Sequence, residues 1–529
     1  MATSYGDNFG LWLPQHRMVL PLMILAGLGL GIGTVISSHL RLKKMEMKDD
    51  DGYTGEDLIS AMPNDILCSI LSRMDTKDVV RTSILCRRWS TLYLFLPYYS
   101  FSCRCSFEIP FFGQCSCTAE NKKKFLTVLD RFFRIPRGAG CEKIKSFSLS
   151  LCVKRDFMCH IDRWVRHIAG WGVEELAFRL CCQQNTEQIT FPLQKLLCKA
   201  AAAPMLKSLH LVACVLEPFN PQRPFKSLTS LRLGYIESVD VQGILSSCPE
   251  LESLTLEYCR LPSKVFIGGG KQLRLKSLTI NGCYGGVEEI SLCAENLVIL
   301  EVEFQTDSAM FSHPTNVPKL QHFSMSVIRP IDIRHIISWV GKDCPQVESL
   351  YLDFWLGDHT CSYSLPREVP TFGRMRQLYI LMEFNELFDV TQVAALMTGC
   401  PLLQRLHLVG RGRKVVHSFI KRSVPLSNNN LHLHLKEVEF GGFLGLENEF
   451  ALVLYILKRA WFLERMVLSR DYRWYTGANG RWEERKDYIG PTWSENPPYT
   501  VTFDHTKSQA IRQRLRGQAA SPTAQVIVI

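Results

Sequence analysis

The apolar positions of this chain repeat. A six-residue unit, Leu-x-x-Leu-x-Leu with Ile, Val, Met or Phe as substitutes, occurs at 144–149 (IKSFSL), 173–178 (VEELAF), 206–211 (LKSLHL), 228–233 (LTSLRL), 251–256 (LESLTL), 275–280 (LKSLTI) and 297–302 (LVILEV). It continues at 320–325 (LQHFSM), 347–352 (VESLYL), 375–380 (MRQLYI), 403–408 (LQRLHL), 435–440 (LKEVEF) and 463–468 (LERMVL). In the last four positions of each unit apolar and polar residues alternate, the period of a strand with one buried face. The thirteen copies start 22 to 33 residues apart, so each predicts one strand of a repeating supersecondary unit. Helical spacing fills several intervals: VQGILSS at 241–247, IRHIISWVGKD at 333–343 and VAALMTG at 393–399, followed by Cys248-Pro249, Cys344-Pro345 and Cys400-Pro401. Proline ends the helix and the next strand begins. Stacking such units builds a curved α/β solenoid, with a parallel sheet on its concave side and loops or helices outside.

A different pattern precedes the array. Pro63 opens a helix with Asp65 in its first turn, and Ile66, Leu67, Ile70, Leu71 and Met74 form an apolar stripe. Asp75 or Thr76 can cap a second helix carrying Val79 and Val80, and Leu85, Cys86, Trp89 and Leu92 continue as a third. Three short helices cannot bury so many apolar side chains among themselves. Part of this surface must meet a partner or another domain.

The run Met62-Pro63-Asn64-Asp65-Ile66-Leu67, with Ile70-Leu71-Ser72-Arg73-Met74 and Asp78-Val79-Val80-Arg81-Thr82-Ser83-Ile84-Leu85-Cys86-Arg87-Arg88-Trp89, resembles the F-box in the form common in plants. Met62 stands where Leu is usual. The resemblance implies docking to the Skp-type adaptor of a cullin-based ubiquitin ligase, with Pro63, Ile66, Leu67, Ile70, Leu71, Val79, Leu85 and Trp89 touching the adaptor or forming the module's own core. The copies from 206 to 325, spaced 22 to 24 residues, resemble leucine-rich repeats. With 160–178 and 434–468 they resemble plant proteins of the F-box/leucine-rich-repeat/FBD class. Lys436-Glu437-Val438-Glu439-Phe440, Gly442-Phe443 and Asn448-Glu449 look like the start of the FBD region, and SPTAQVIVI at 521–529 like its last strand. The Trp-, Tyr-, Arg- and Glu-rich stretch 471–499 departs from that pattern and reads as an insertion loop. The expected organisation is an extension (1–55), a three-helix F-box (56–97), a Cys-containing linker (98–143), leucine-rich repeats (144–433) and an FBD-like region (434–529). The resemblance implies a non-catalytic substrate receptor whose concave face holds a target protein. The alternative is an interaction scaffold without ligase function.

Residues 18–38 (MVLPLMILAGLGLGIGTVISS) carry no charge, and about 20 apolar residues span a bilayer core. Arg17 flanks one side and Arg41, Lys43 and Lys44 the other; a membrane anchor here would leave the remaining chain in the cytosol. Met45 and Met47 follow at once, so 1–44 also reads as an extension that the working protein lacks. Both readings stand.

Composition narrows the classes. The 529 residues are 46% hydrophobic and 21% charged, with mean hydropathy +0.01, which excludes a disordered chain, a collagen-like fibre and a polytopic membrane protein. The net charge of +10 is scattered, without a basic stripe interleaved with aromatics, so nucleic acid is not an expected partner. Of 20 cysteines, Cys214, Cys259, Cys283 and Cys293 fall in apolar-periodic segments, as buried thiols of a cytoplasmic or nuclear protein would. Cys103-x-Cys105 and Cys115-x-Cys117 are too closely spaced for usual zinc pairs, Cys181-Cys182 reads as ordinary thiols, and His160 and His167 read as core or surface histidines. Gly268–Gly270 lacks the spacing of a phosphate loop. No metal, cofactor or catalytic centre is expected. Recognition chemistry then falls to the concave face, where alternation exposes His210, Arg232, Thr255, Glu301, Glu303, Tyr351, Asp353, Tyr379 and His407, with Arg405 beside them. Tyr351, Asp353 and Tyr379 are the expected centre of a target-binding patch, with Glu301 and Arg405 contributing.

Overall fold

The computed structural model describes residues 59–102 (apart from 60–61, 75, 83 and 86–87), 119–134, 144–151, 158–180, 189–197, 205–268, 273–304, 310–327 (apart from 313–314), 333–354, 369–383, 390–411, 431–470 and 503–529. The apolar segment 18–38, the cysteines Cys103, Cys105, Cys115, Cys117, Cys181 and Cys182, and the stretch 471–499 lie outside the described residues. The chain divides into two compact units, residues 1–101 with 136–144, and residues 102–135 with 145–529.

In the first unit, α1 (Asn64–Leu71), α2 (Thr76–Thr82) and α3 (Trp89–Leu92) precede a strand, β1 (Tyr98–Ser102). Pro63 sits before α1 with φ −55°, the value its ring imposes and a helix start requires. Leu67, Leu71, Val79, Trp89 and Leu92 are buried, as the stripe predicts. The Arg88 guanidinium donates to Asn64 Oδ1 at 2.9 and 2.7 Å and to the Met62 carbonyl, tying the start of α3 to that of α1. The third helix is shorter than its apolar spacing suggests, and Leu85 falls before it.

In the second unit the strands are β2 (Ser146–Ser150), β3 (Glu175–Arg179), β4 (Thr190–Phe191), β5 (Ser208–Val212), β6 (Val215–Leu216), β7 (Ser230–Gly234), β8 (Ser253–Glu257), β9 (Lys264–Gly268), β10 (Ser277–Cys283), β11 (Glu289–Cys293), β12 (Ile299–Phe304), β13 (Met310–Phe311), β14 (His322–Val327), β15 (Ser349–Phe354), β16 (Gln377–Glu383), β17 (Arg405–Arg411), β18 (Glu437–Gly441), β19 (Arg465–Ser469) and β20 (Gln525–Val528). One large sheet runs β2-β3-β5-β7-β8-β10-β12-β14-β15-β16-β17-β18-β19-β20, with parallel pairing throughout. Every Leu-x-x-Leu-x-Leu copy supplies one of its strands, beginning at the third position, and β20 is added beyond the last copy. Register aligns the fourth position from repeat to repeat: Leu209, Leu231, Leu254, Leu278, Leu300, Phe323, Leu350, Leu378, Leu406, Val438 and Met466. All are buried. This continuous apolar row is what a single repeat cannot bury alone.

The helices of this unit are α4 (Ala119–Arg134), α5 (Met158–Trp171), α6 (Leu193–Leu196), α7 (Val241–Ser247), α8 (Ile333–Asp343), α9 (Val393–Thr398), α10 (Glu447–Arg459) and α11 (His505–Leu515). Three of them, α7, α8 and α9, are the segments read before Cys-Pro. By contrast, α4 lies in what composition marks as a linker: its Lys122–Lys124 cluster hides the helical spacing of Leu126, Leu129 and Phe133, all buried. Asp130 of α4 accepts the indole N–H of buried Trp164 at 3.0 Å, a hydrogen bond from Arg163 at 2.5 Å, and one from His160 at 3.3 Å. His160 therefore serves the packing of α4 on α5, and His167 lies beside the Phe133 ring. Cys214, Cys248, Cys259, Cys283, Cys344 and Cys400 are buried free thiols. Burial pushes Cys214, Cys248, Cys344 and Cys400 up to about 12, which leaves them unreactive small hydrophobes.

Candidate docking surfaces

Two surfaces stand out, one in each unit. In the first unit, five of the eight apolar positions expected to serve an adaptor or a core are buried: Leu67, Ile70, Leu71, Val79 and Trp89. Pro63 and Leu85 are exposed, and Ile66 is half-buried. Next to Leu85 (49% exposed) in the chain is Ile84 (86%), which the apolar stripe left out, and Val80 of the second helix is exposed as well (38%). A signal existed in the spacing. Val79 points inward, so Val80, about 100° further round α2, must point out.

In the second unit, register aligns Thr279, Glu301, Ser324, Tyr351, Tyr379, His407 and Glu439 across neighbouring strands on the concave face. The Tyr351 and Tyr379 rings stack at 4.5 Å and 20°, and Tyr379 and His407 at 6.0 Å and 23°. The next row reads Ser326, Asp353, Leu381 and Val409. Tyr379, Leu381 and Val409 pack into an apolar cluster, against which Tyr351 leans. Two expected positions are thereby corrected. Tyr379 (4% exposed) and Asp353 (9%) are on the concave face but are not open. Tyr379 is covered by the Tyr351 and His407 rings on the flanking strands, about 4.8 Å away. Tyr351 and Glu301 remain half-buried, and Arg405 is exposed with its Nε 3.0 Å from Glu437.

A shallow hollow opens along Tyr351, lined by Glu301, His322, Ser324, Ser349 and Gln377. The sequence reading missed His322, Ser324 and Gln377, which acquire meaning only from their neighbours. Burial holds the Glu301 carboxyl above its ordinary value, although the Thr279 hydroxyl donates to it at 3.1 Å. Burial lowers His322, and burial with the Arg405 charge lowers His407 to about 4. Both imidazoles are neutral at physiological pH. Towards the start of the sheet, Arg232 pairs with Glu257 at 2.5 Å. Burial and the charges of Arg179 and Arg232 lower His210 to about 4. Among the described residues no group of three or more His, Cys, Asp or Glu is arranged to hold a metal ion, and no helix is long and apolar enough to cross a membrane.

A three-helix unit with exposed apolar side chains, joined in one chain to a parallel array of short repeats, defines a protein built for docking. Comparison with known proteins assigns the parts. Residues 59–92 match the F-box domain and residues 137–486 match the family described as At1g61320/AtMIF1, LRR domain. The chain belongs to the F-box/leucine-rich-repeat proteins. Its relatives in Arabidopsis thaliana include the putative F-box/LRR-repeat protein At4g15060, 24% identical over 61% of this chain and 68% of that one. The putative F-box/FBD/LRR-repeat protein At5g22670 is 24% identical over 80% and 93%. The F-box/LRR-repeat protein At3g59190 is 23% identical over 66% and 92%. A chain in the solved structure titled "Crystal structure of TLR13-ssRNA13 complex" matches 62% of this chain and 54% of its own length, at 14% identity and a TM-score of 0.28.

Proposed function

We propose that this chain is the substrate-recognition subunit of a Skp–cullin–F-box ubiquitin ligase. The F-box unit docks the Skp-type adaptor and through it a cullin, and the concave face of the repeats holds a target protein. A separate conjugating enzyme makes the isopeptide bond; this chain supplies proximity, raising the effective concentration of target at that enzyme. The observation that carries the reading is the F-box match combined with the exposed Val80, Ile84 and Leu85 within it. Full burial of an exposed apolar side chain of this size is worth about 1.5–3 kcal/mol; Ile84 gains most of that and the part-exposed Leu85 and Val80 about half or less each, together enough to anchor an interface. Pro63 and Ile66 extend the adaptor surface, while the buried Leu67, Ile70, Leu71, Val79 and Trp89 hold its shape. On the concave face Tyr351, Glu301 and Arg405 contact the target, and Tyr379 and Asp353 support them from beneath. Residues 434–529, with β18 to β20, act as the FBD-like close of the array. The six buried free thiols suit a reducing compartment, cytoplasm or nucleus.

The test is a pull-down of purified Skp-type adaptor by the full chain, with Ile84→Asp and Leu85→Asp together as the comparison. Both side chains are exposed, so the variant should keep its circular dichroism and melting temperature while losing the adaptor. Failure of the unaltered chain to hold the adaptor would leave a repeat scaffold outside the ligase.

A further inference from the structure

On the concave face β14 carries only serines at two successive open positions, Ser324 and Ser326. Register sets Ser324 between Glu301 of β12 and Tyr351 of β15, and Ser326 between Glu303 and Asp353. Short side chains on one strand, with long ones on both neighbours, make a trough about 9.5 Å across between flanking backbones, twice the usual strand spacing. The hollow along Tyr351 opens here, with Glu301 on one wall and the Tyr351 ring on the other. Tyr379 stacks on the far side of that ring, so its nearer face looks across Ser324. His322, at the entry, is neutral and offers no positive charge.

Glu301 is the telling group. Two other carboxylates on this face have cationic partners: Glu257 has Arg232 and Glu437 has Arg405. Glu301 is as enclosed as these, yet among the described residues it has only the neutral Thr279 hydroxyl. A half-buried carboxylate served by one neutral donor gains most from a cation.

We propose that the β14 trough takes a cationic side chain, arginine or lysine, from the target protein. The aliphatic stem lies over Ser324 and along the Tyr351 face, where a cation is attracted by the ring, and the head reaches the Glu301 carboxylate. This rests on the reading that the concave face receives the target, and gives that target a chemistry: a segment with an exposed basic residue.

The test uses the full chain in complex with its Skp-type adaptor, presented to a phage-displayed library of random peptides. Arg or Lys should be enriched about tenfold at one fixed position of the selected peptides. Glu301→Gln, which keeps an acceptor for Thr279, should abolish that preference with a urea midpoint no lower than the parent's, and Arg179→Gln, five strands away from β12, should leave it. Selected peptides that need Tyr351 (lost with Tyr351→Ala) but show no basic preference, or a preference that survives Glu301→Gln, would overturn the trough and spare the receptor reading. If no selected peptide responds to Tyr351→Ala, both fall.

Discussion

Glu449 offers a sharp test of how burial and hydrogen bonding compete in this protein. It lies in the first turn of α10, 2% exposed. Its Oε2 accepts the backbone N–H groups of Leu444, Gly445 and Leu446 at 3.0, 2.7 and 2.8 Å. Its Oε1 has no hydrogen-bond partner among the described residues. Burial pushes the carboxyl up, while the three N–H donors and the Lys507 charge pull it down; burial prevails, and the group titrates at about 7 against an ordinary 4.5. A carboxyl raised on folding holds its proton longer in the native state. Its contribution to stability is therefore complete below 4.5 and is lost as pH rises through about 7. The interval, at 1.36 kcal/mol per pH unit, makes about 3 kcal/mol. Glu449→Gln keeps an oxygen for the three N–H groups and cannot ionise. Urea denaturation of parent and variant between pH 5 and 8 should find them within about 1 kcal/mol at the acid end and the variant about 3 kcal/mol more stable at pH 8. His210, His407 and His432, lowered to about 4, destabilise both proteins alike as pH falls below 6.5, so they cancel in the difference. A difference that is flat, or that favours the parent as pH rises, would show that the donors outweigh burial.

Three further outcomes are expected. Leu71→Asp places an unpaired charge in the core of the first unit and should unfold it, a loss of about 3 kcal/mol or more, whereas Leu85→Asp should move its melting transition by no more than about 0.5 kcal/mol. Gly442 has φ +68°, and a Cβ there would stand 1.9 Å from the Gly410 carbonyl oxygen, so Gly442→Ala should cost at least about 2 kcal/mol in urea denaturation and expose α10 to proteolysis. Burial opposes the charge of Asp130, but hydrogen bonds from Arg163, Trp164 and His160 hold it below 3.8. Asp130→Asn should accordingly cost about 1–3 kcal/mol at pH 7, and the parent's advantage should vanish as pH falls below 3.8.

The strand array was legible because one physical rule acts thirteen times. Each strand buries alternate residues, and stacking requires the same positions to be apolar in every repeat, so the register of Leu254 on Leu231 and Leu278 is already written in the spacing. Helices α7 and α8 were legible for the complementary reason: their apolar side chains follow the helical period and Cys-Pro marks their ends. Where polar residues dilute the period, as in the lysine-rich first half of α4, composition pointed to a linker and tertiary packing decided otherwise. In the first unit the stripe located the helices but could not divide core from ridge. Leu71 and Leu85 are equally apolar, and only the early end of α2 and late start of α3 leave one inside and the other in water.

The concave face shows why a strand period alone cannot locate a site. Tyr351 and Tyr379 occupy the same position of adjacent units, one residue before the final apolar of each. Alternation treats them identically and puts both on the open face, which is where they are. Their exposure differs because their cross-strand neighbours differ. Tyr379 has a ring on each side, Tyr351 at 4.5 Å and His407 at 6.0 Å, with Leu381 and Val409 filling the next row. Tyr351 has Tyr379 on one side and Ser324 on the other. The residues that set this difference are 27 and 28 positions away along the chain, and a serine has no signature of its own. The trough is thus a property of register: Ser324 becomes its floor only because Glu301 and Tyr351 stand on either side. Replacing Ser324 with Leu would leave the strand period intact, and the fold with it, but would fill the space beside Tyr351 and should abolish any basic-side-chain preference as completely as Glu301→Gln.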